Sequence, residues 1–155
     1  MAVIRIVTTI AAPIDRCFDL ARDIGFHARS MAESGERAVA GRTSGLIELG
    51  ETVTWEARHL GVRQRLTSKI TAFDRPTYFR DEMTAGAFHS FAHDHRFEER
   101  QGETIMTDDL TFQSPFGPVG RLVDRLFMAG YLRRLLEVRN QTLKHEAEMS
   151  IESSN

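Results

Sequence analysis

Apolar and polar side chains alternate along most of the chain, and helical spacing replaces this alternation only in two places. The alternating segments are bounded by glycine, proline and acidic turn residues, which is typical of antiparallel strands joined by short turns. They predict strands at residues 3–10, 36–43, 51–60, 62–73, 77–84, 87–100 and 103–114. Because one face of each strand is apolar and the other polar, we expect one antiparallel sheet with one buried and one wet face.

Helical spacing first appears directly after the first strand. Apolar residues recur on one helical face at Ile14, Cys17, Phe18 and Ala21. They predict a short helix within residues 11–23. A second short helix is predicted for residues 23–34, with Asp23 as its N-cap and Gly35 as its end.

The second helical region is residues 119–148, which contain no proline and predict one long amphipathic helix. Its predicted apolar stripe comprises Leu122, Val123, Leu126, Leu135, Leu136, Val138 and Leu143. A curved sheet has to cover its apolar face, and this helix is the only predicted element large enough to do so. The polar tail "SIESSN" predicts disorder at residues 149–155.

Two further features of the long helix lead to expectations about its surface. Arg133, Arg134 and Arg139, with Glu137 between them, predict a solvated basic strip. Phe127 and Tyr131 lie off the apolar stripe, so they leave open a contact with a second copy of the chain, that is, a homodimer.

The order of strand, two short helices, strand meander and long helix resembles the START-like, or SRPBCC, superfamily with its helix-grip fold. The segments that carry the resemblance are "APIDRCFDLARDIGFH", "SGLIELGETVTWEARHLG", "FRDEMTAGAFHSFAHDHRFE", "TDDLTFQSPFGPVG" and "YLRRLLEVRN". Within that superfamily, which includes polyketide cyclase/dehydrases and lipid-transfer domains, the chain is similar to small bacterial members of unassigned function. The resemblance implies a single α+β domain over residues 1–148. In it, a curved sheet of about six to seven strands wraps on the C-terminal helix and encloses a cavity. It implies no shared catalytic residues.

Polar side chains fall on the apolar face of the predicted sheet, where a sheet packed only on a helix would need none. They are His59, Gln64, Ser68, Asp81, His93, His95 and Asp108. A buried polar group without a partner costs roughly 1–3 kcal/mol, so these groups should pair with one another or meet water in a pocket. The same face carries Trp55, Met83, Phe91 and Met106, which complete the predicted ligand-contacting set. Leu46 and Ile47, in a glycine-bounded loop, are the predicted cavity gate and look exposed.

Asp81, His93, His95 and Asp108 come from three successive strands, so their side chains can lie about 5 Å apart across the ladder. Three interpretations stay open. The four groups form an internal hydrogen-bonded network, or a His–Asp pair acts as general acid and base, or His93 and His95 bind a metal. Because no third ligand is fixed nearby by the spacing, no metal and no cofactor are predicted.

Composition and charge narrow the class of protein. The chain has 155 residues, of which 41% are hydrophobic and 27% charged, an ordinary globular balance. A net charge of -2 gives no general reason to expect binding to nucleic acid or to an anionic membrane. No apolar run reaches the roughly 20 residues of a membrane span, and the N-terminus lacks the pattern of a signal peptide, so we expect a cytoplasmic protein. The single cysteine, Cys17, is expected to be buried and inert.

Motif searching excludes several enzyme classes. The sequence has no glycine-rich phosphate loop, no dinucleotide-binding fingerprint and no Gly-x-Ser-x-Gly elbow. The leading hypothesis is therefore a protein that binds a small hydrophobic or aromatic molecule, lipid- or polyketide-like, in an internal cavity. The alternatives are a cyclase or dehydratase that uses a His–Asp pair in the same cavity, and an interaction or chaperone-like module.

Overall fold

The structure, a computed structural model, describes residues 1–152 and the side chains of residues 1–149. The elements in chain order are β1 Ala2–Ile10, α1 Ile14–Ala21, α2 Ile24–Ser30, a 3₁₀ turn Ala32–Ser34, β2 Arg37–Gly41, β3 Thr52–His59, β4 Val62–Asp74, β5 Tyr78–Ala85, β6 Ser90–Arg100, β7 Glu103–Gln113, α3 Gly117–Val123, a π-helical turn Asp124–Met128 and α4 Ala129–Glu152. This order confirms the predicted α+β fold, with two short helices after the first strand and a long helical region at the end.

The seven strands form one antiparallel sheet in the order β1-β7-β6-β5-β4-β3-β2. The strands from β2 to β7 are a meander, and β1 completes the sheet by pairing with β7. Register shifts interrupt β2 near Ala38 and β4 near Thr67 and Ile70. Such bulges bend a strand and increase its twist. The sheet can therefore curve around the helices that cover its inner face.

The two short helices form where the sequence predicts them. The side chain of Asp23 accepts a hydrogen bond from the backbone N–H of Phe26 at 3.0 Å, which caps α2. Gly35 then ends the 3₁₀ turn with a φ of 65°, a conformation that other residues adopt at a cost. Cys17 and Phe18 on α1 are fully buried. These helices close one end of the sheet.

The long C-terminal helix differs from its prediction in the first half. Leu122, Val123 and Leu126 are exposed, whereas Leu136 and Leu143 are buried, so the single apolar stripe is wrong before α4. It is also wrong at Val138 within α4, which is exposed. The π-helical turn carries an i→i+5 bond pattern, which rotates the faces on its two sides relative to each other.

Two inward contacts fix the orientation of α3. A Cβ added at Gly120 would lie 2.0 Å from the carbonyl oxygen of Pro115, so only glycine allows this close approach of the backbones. Asp124, buried, accepts a hydrogen bond from the backbone N–H of Ser114 at 2.9 Å and another from the Ser114 hydroxyl. The side of α3 opposite these contacts faces away from the sheet.

The core consists of two apolar clusters. The larger includes Ile10, Cys17, Phe18, Phe26, Val53, Ile70, Phe79, Phe97, Met106 and Leu143. The smaller is built on Ile4, Leu110, Phe112 and Leu136.

A line of buried polar residues, which we call the polar seam, lies between the two clusters. On α4, Arg139 and Asn140 separate Leu136 of the smaller cluster from Leu143 of the larger. On β7, Asp108 lies between Met106 of the larger cluster and Leu110 of the smaller. The seam therefore runs from the sheet to the helix through the middle of the core.

Residues 149–152, predicted to be disordered, are part of α4, which corrects that prediction. The predicted disorder of residues 153–155 lies outside the described residues. Within residues 1–152, the structure contains no helix with both the length and the apolar character needed to span a membrane.

The two halves of the helical region should respond differently to truncation. We expect Leu143→Ala to lower the free energy of unfolding by about 2–5 kcal/mol, because it leaves a cavity at a fully buried position. The matched change Leu126→Ala, at a side chain that is 74% exposed, should stay within about 0.5 kcal/mol of the wild type. Urea unfolding measures both. A loss at Leu126 as large as that at Leu143 would contradict the burial of the two halves described above.

Candidate functional site

A cavity of about 340 Å³ lies between the inner face of the sheet and the helical region. Its wall is formed by β3 to β7, by α2 with the loop that follows β2, and by residues 128–139 of the helical region. Of the predicted site residues, the wall includes Ile47, Trp55, His59, Gln64, Ser68, Asp81, Phe91, His93 and His95. The alternation of the strands therefore places most of the predicted set around one space.

Four predicted site residues lie outside the cavity wall. Met106 is fully buried in the larger apolar cluster, and Asp108, also fully buried, lies behind the histidines. Met83 lies against Gly86, since a Cβ added there would be 2.7 Å from the Met83 Sδ atom. Leu46 is half-buried in an isolated bridge outside the wall. Periodicity predicts the face of a strand, but it does not predict how far along that face the cavity extends.

The predicted gate loop is held by backbone contacts rather than free. Ile47 is buried, which corrects the expectation that both aliphatic residues are exposed. The N–H of Ile47 donates to the Arg22 carbonyl at 3.2 Å, and the Arg22 Nη1 donates to the Ile47 carbonyl at 3.1 Å. Ile24 donates its N–H to the carbonyl of Gly45 at 2.9 Å. The loop is thus tied to the junction between α1 and α2.

The four predicted charged residues do meet at one end of the cavity. His93 faces Asp81 across the ladder, and His95 faces Asp108. Their hydrogen bonds run diagonally: His93 Nε2–H donates to Asp108 Oδ1 at 2.8 Å, and His95 Nε2–H donates to Asp81 Oδ2 at 2.7 Å. The imidazole of His95 lies stacked between two rings, with His93 at 3.7 Å and Phe79 at 4.0 Å between centroids. Stacking and hydrogen bonds together fix both imidazole orientations.

Asp108 connects this group to the long helix. Its Oδ2 accepts a hydrogen bond from Asn140 Nδ2 at 2.8 Å, and its Oδ1 lies 3.5 Å from Arg139 Nη1 and 3.2 Å from His95 Nδ1. Arg139 also donates to the carbonyl of Ala21 at 3.1 Å, which brings in α1. One buried carboxylate therefore links β6, β7, α1 and α4.

The environment shifts the pKa values of the two histidines in opposite directions. Burial, together with the nearby charge of His95, lowers the pKa of His93 although its hydrogen bond to Asp108 acts the other way. Burial also acts to lower the pKa of His95, but the carboxylates of Asp108 and Asp81 outweigh it and raise the value. The site thus favours a neutral imidazole stacked on a protonated one.

Both carboxylates stay ionised in this arrangement. Burial acts to raise the pKa of Asp108, but the hydrogen bond from His93, the nearby imidazole of His95 and the charge of Arg139 hold it well below its ordinary value. The pKa of Asp81 is lowered in the same way, because its bond to His95 outweighs burial. The polar end of the cavity therefore contains two carboxylates opposed by Arg139 and, in its protonated form, by His95.

The nitrogens of this network that lack a hydrogen-bond partner among the described residues are the other ring nitrogen of His93 and the buried Nδ1 of His95 and Nε of Arg139. His93 is part of the cavity wall, and its Nδ1 has no hydrogen-bond partner in the part of the chain that the structure describes. Because Nε2–H donates to a carboxylate, which can only accept, Nδ1 of the neutral ring is left as an acceptor. It is a polar atom available to a molecule in the cavity.

Sequence reasoning missed three residues of the site. Arg139 was predicted to be solvated, but it is buried because it shares the helical face of Leu136 and Leu143, a spacing visible in the sequence. Tyr131, considered for a homodimer, is part of the cavity wall, where its hydroxyl is hydrogen-bonded to His59 Nδ1 at 2.8 Å. His27 also reaches the wall, and no local signal in the sequence pointed to that.

His27 lies beside the only tryptophan. Its ring centroid is 4.4 Å from that of Trp55, and its Nε2 is hydrogen-bonded to Glu36 Oε1 at 2.8 Å. Both residues are part of the cavity wall, although neither belongs to the quartet formed by Asp81, His93, His95 and Asp108.

Asp81, His93 and His95 are also a group whose donor atoms lie within 4.8 Å of one another, as a metal site requires. However, the Nε2 atoms of the two histidines are directed to opposite neighbours of β6, each bonded to a carboxylate. A metal would need converging nitrogens, so the geometry fits a hydrogen-bonded network better than a metal centre.

Comparisons with known proteins agree with the fold. A protein-family model described as polyketide cyclase / dehydrase and lipid transport matches residues 1–148. Among solved structures, TTHA0849 from Thermus thermophilus is similar with a TM-score of 0.71 and 20% identity, covering 92% of this chain and 97% of that one. A START superfamily protein from Mycobacterium smegmatis has a TM-score of 0.70 and 14% identity over 95% and 97%. Ara h 8.0201 has a TM-score of 0.61 and 14% identity over 92% and 97%. No curated protein matches the sequence.

The opposite pKa shifts of the two histidines can be observed directly. We expect NMR of the imidazole nitrogens to show His95 gaining its proton at higher pH, and His93 at lower pH, than the ordinary value of about 6.5. Asp108→Asn should lower both pKa values, because it removes a carboxylate that favours the protonated form of each ring. Asp109→Asn, which changes the next carboxylate on the outer face of β7, is the matched control and should leave them unchanged.

The same shifts give the sign of the stability change. The contribution of His95 to the free energy of unfolding is fully present below about pH 6.5 and is lost as the pH rises through its folded pKa. The contribution of His93 to the same free energy is present above about pH 6.5 and is lost as the pH falls through its folded pKa. Coincident titration of the two rings, or protonation of His93 first, would contradict the geometry.

Proposed function

Because the chain belongs to the polyketide cyclase / dehydrase and lipid transport family, which confirms its START-like resemblance, we propose that it binds a small hydrophobic or aromatic molecule in the cavity. A volume of about 340 Å³ falls at the lower end of the range for small-molecule sites. Much of the wall is apolar and includes Trp55, Ile70, Phe91 and Leu136. Burial of apolar surface against these side chains would supply most of the affinity.

The polar end selects the kind of oxygen function that the ligand carries. A ligand group beside His93 has to donate a hydrogen bond, because Nδ1 of the neutral ring can only accept. An alcohol or phenol hydroxyl meets this requirement, and an ether or ester oxygen does not. The free Nδ1 of His93 is the single observation that carries the proposal of a hydroxyl-bearing ligand.

The charge balance of the same end favours a neutral ligand. Asp81 and Asp108 are opposed by Arg139 and by His95 in its protonated form. A ligand carboxylate would add an unopposed negative charge in a site removed from water, which is costly. We therefore expect hydroxylated apolar molecules to bind better than fatty acids of the same size.

Two probes test this proposal, one with a hydroxyl proton and one with a methyl group in its place on the same oxygen. We expect para-hexylphenol to bind about five times more tightly than para-hexylanisole, since a net hydrogen bond contributes about 1 kcal/mol. Quenching of the single tryptophan, Trp55 in the cavity wall, measures both affinities. His93→Leu should abolish the preference for the phenol and leave the affinity for the anisole unchanged.

His59→Leu is the matched control, because His59 is a cavity histidine outside the quartet and pairs with Tyr131 instead. It should retain the preference for the phenol. If His93→Leu lowered the affinity for both probes equally, the role of Nδ1 would be contradicted. If the wild type bound neither probe, an open apolar cavity would be contradicted. Native mass spectrometry of protein purified from its own host would then identify the resident molecule.

The opposite pKa shifts of His93 and His95 favour a second candidate function, a cyclase or dehydratase reaction in the same cavity. In this reaction, neutral His93 would take a proton through Nδ1 from a carbon next to a ligand carbonyl. Protonated His95 and the carboxylates would hold that ring in place.

This second candidate predicts a bell-shaped pH dependence of turnover. With the molecule identified by native mass spectrometry as substrate, the rate should fall as the pH drops through the pKa of His93 and also as it rises through that of His95. His93→Gln should reduce turnover by about 100-fold or more, with little change in binding. Binding without any turnover in the wild type would eliminate the reaction and leave the binding function intact.

A further inference from the structure

The segment between the last strand and α4 exposes an unusual number of large apolar side chains. We call it the apolar ridge and define it by Phe116, Val119, Leu122, Val123, Leu126 and Phe127. Phe116 is 82% exposed and Leu126 is 74% exposed. Scattered apolar residues are normal on a protein surface, but a contiguous group of this kind marks an interaction site.

The ridge is a continuous face rather than a chance collection. Val119, Leu122 and Val123 have the spacing i, i+3 and i+4, which places them side by side on one side of α3, and Leu126 follows them, 74% exposed, in the π-helical turn. Buried contacts on the opposite side, at Gly120 and Asp124, hold this face outward. The exposure is therefore built into the fold and is not the result of a frayed segment.

Positive charge surrounds the ridge. Arg121, Arg125, Arg133 and Arg134 are all exposed, and the only acidic residue among residues 116–136, Asp124, is buried and bonded to Ser114. Arg133 lies 3.9 Å from Glu137, an exposed pair of little strength. Since the whole chain has a net charge of -2, this surface differs in sign from the rest of the molecule.

We propose that the apolar ridge and its arginines dock the protein onto an anionic lipid bilayer. A helix that presents apolar side chains flanked by arginines lies in the plane of the interface, with the apolar face among the acyl chains and the cations at the head groups. Here the ridge would insert and Arg121 and Arg125 would meet lipid phosphates.

The position of the ridge relative to the cavity adds to this proposal. Met128, Tyr131 and Leu132, which follow the ridge directly in the chain, are part of the cavity wall. Docking would thus bring the helical side of the cavity to the membrane surface. The proposal does not depend on the function proposed above, because it concerns binding of the empty protein to lipid.

A second copy of the chain fits this surface less well. In a twofold dimer the same patch meets itself, so the arginines of one copy would face those of the other. Like charges that face each other across a contact destabilise it, whereas an anionic lipid surface neutralises all four.

Co-sedimentation with vesicles tests the proposal. We expect the wild type to bind vesicles of mixed phosphatidylcholine and phosphatidylglycerol, to bind pure phosphatidylcholine at least about tenfold more weakly, and to be released by salt. The double change Leu122→Ser with Leu126→Ser should weaken binding to the anionic vesicles by at least about tenfold. Arg121→Glu with Arg125→Glu should do the same and should also remove the difference between the two kinds of vesicle.

The matched control is Val3→Ser with Val7→Ser, at two apolar residues of β1 that are 64% and 58% exposed but lie outside the ridge. It should bind as the wild type does. Equal losses in this control, equal binding to both kinds of vesicle, or no binding to anionic vesicles would each overturn the proposal. So would a wild-type dimer that Leu122→Ser with Leu126→Ser converts to a monomer without any vesicle binding, since the ridge would then be a self-association surface.

Discussion

Asp108 is a fully buried carboxylate on which the relation between helix and sheet depends. It accepts hydrogen bonds from His93 on β6 and from Asn140 on α4, and it lies close to Arg139, which in turn reaches α1. A buried ion pair is a weak source of stability compared with apolar packing, but an unpaired member would be strongly destabilising. Asp108 thus mainly specifies one position of α4 on the sheet, because a sliding or rotation of the helix would leave the charge of Asp108 without partners.

The same carboxylate sets the chemistry at the polar end of the cavity. It fixes the tautomer of His93 and leaves Nδ1 as an acceptor, and it raises the pKa of His95 together with Asp81. Around it, the larger and smaller apolar clusters hold the two ends of α4 against the sheet. Fold and site are therefore not separate in this protein, because one group of residues both positions the helix and defines what can bind beside it.

Much of this arrangement could be predicted from the sequence, because alternation in a strand has only two outcomes. The period of two placed His93, His95, Asp81 and Asp108 on the inner face, and the structure brings them together there. The buried face of the C-terminal helical region was harder to predict. The prediction of one apolar stripe through Leu122 and Leu126 requires 3.6 residues per turn along the whole helical region. The π-helical turn does not have this periodicity.

The prediction that Arg139 is solvated was wrong for a different reason. It followed from the charge of the side chain, whereas the helical position between Leu136 and Leu143 determines its burial. The extent of the cavity, which excludes Met83 and Met106, depends on distances between elements that no local pattern contains.

The polar seam has a further consequence for how such a protein diversifies. Its residues, Asp108, Arg139 and Asn140, come from β7 and α4, whereas another part of the cavity wall, with Trp55, Gln64 and Ser68, comes from the hairpin of β3 and β4. Substitutions in that hairpin can reshape the wall and alter ligand preference over evolutionary time while the seam keeps the fold intact.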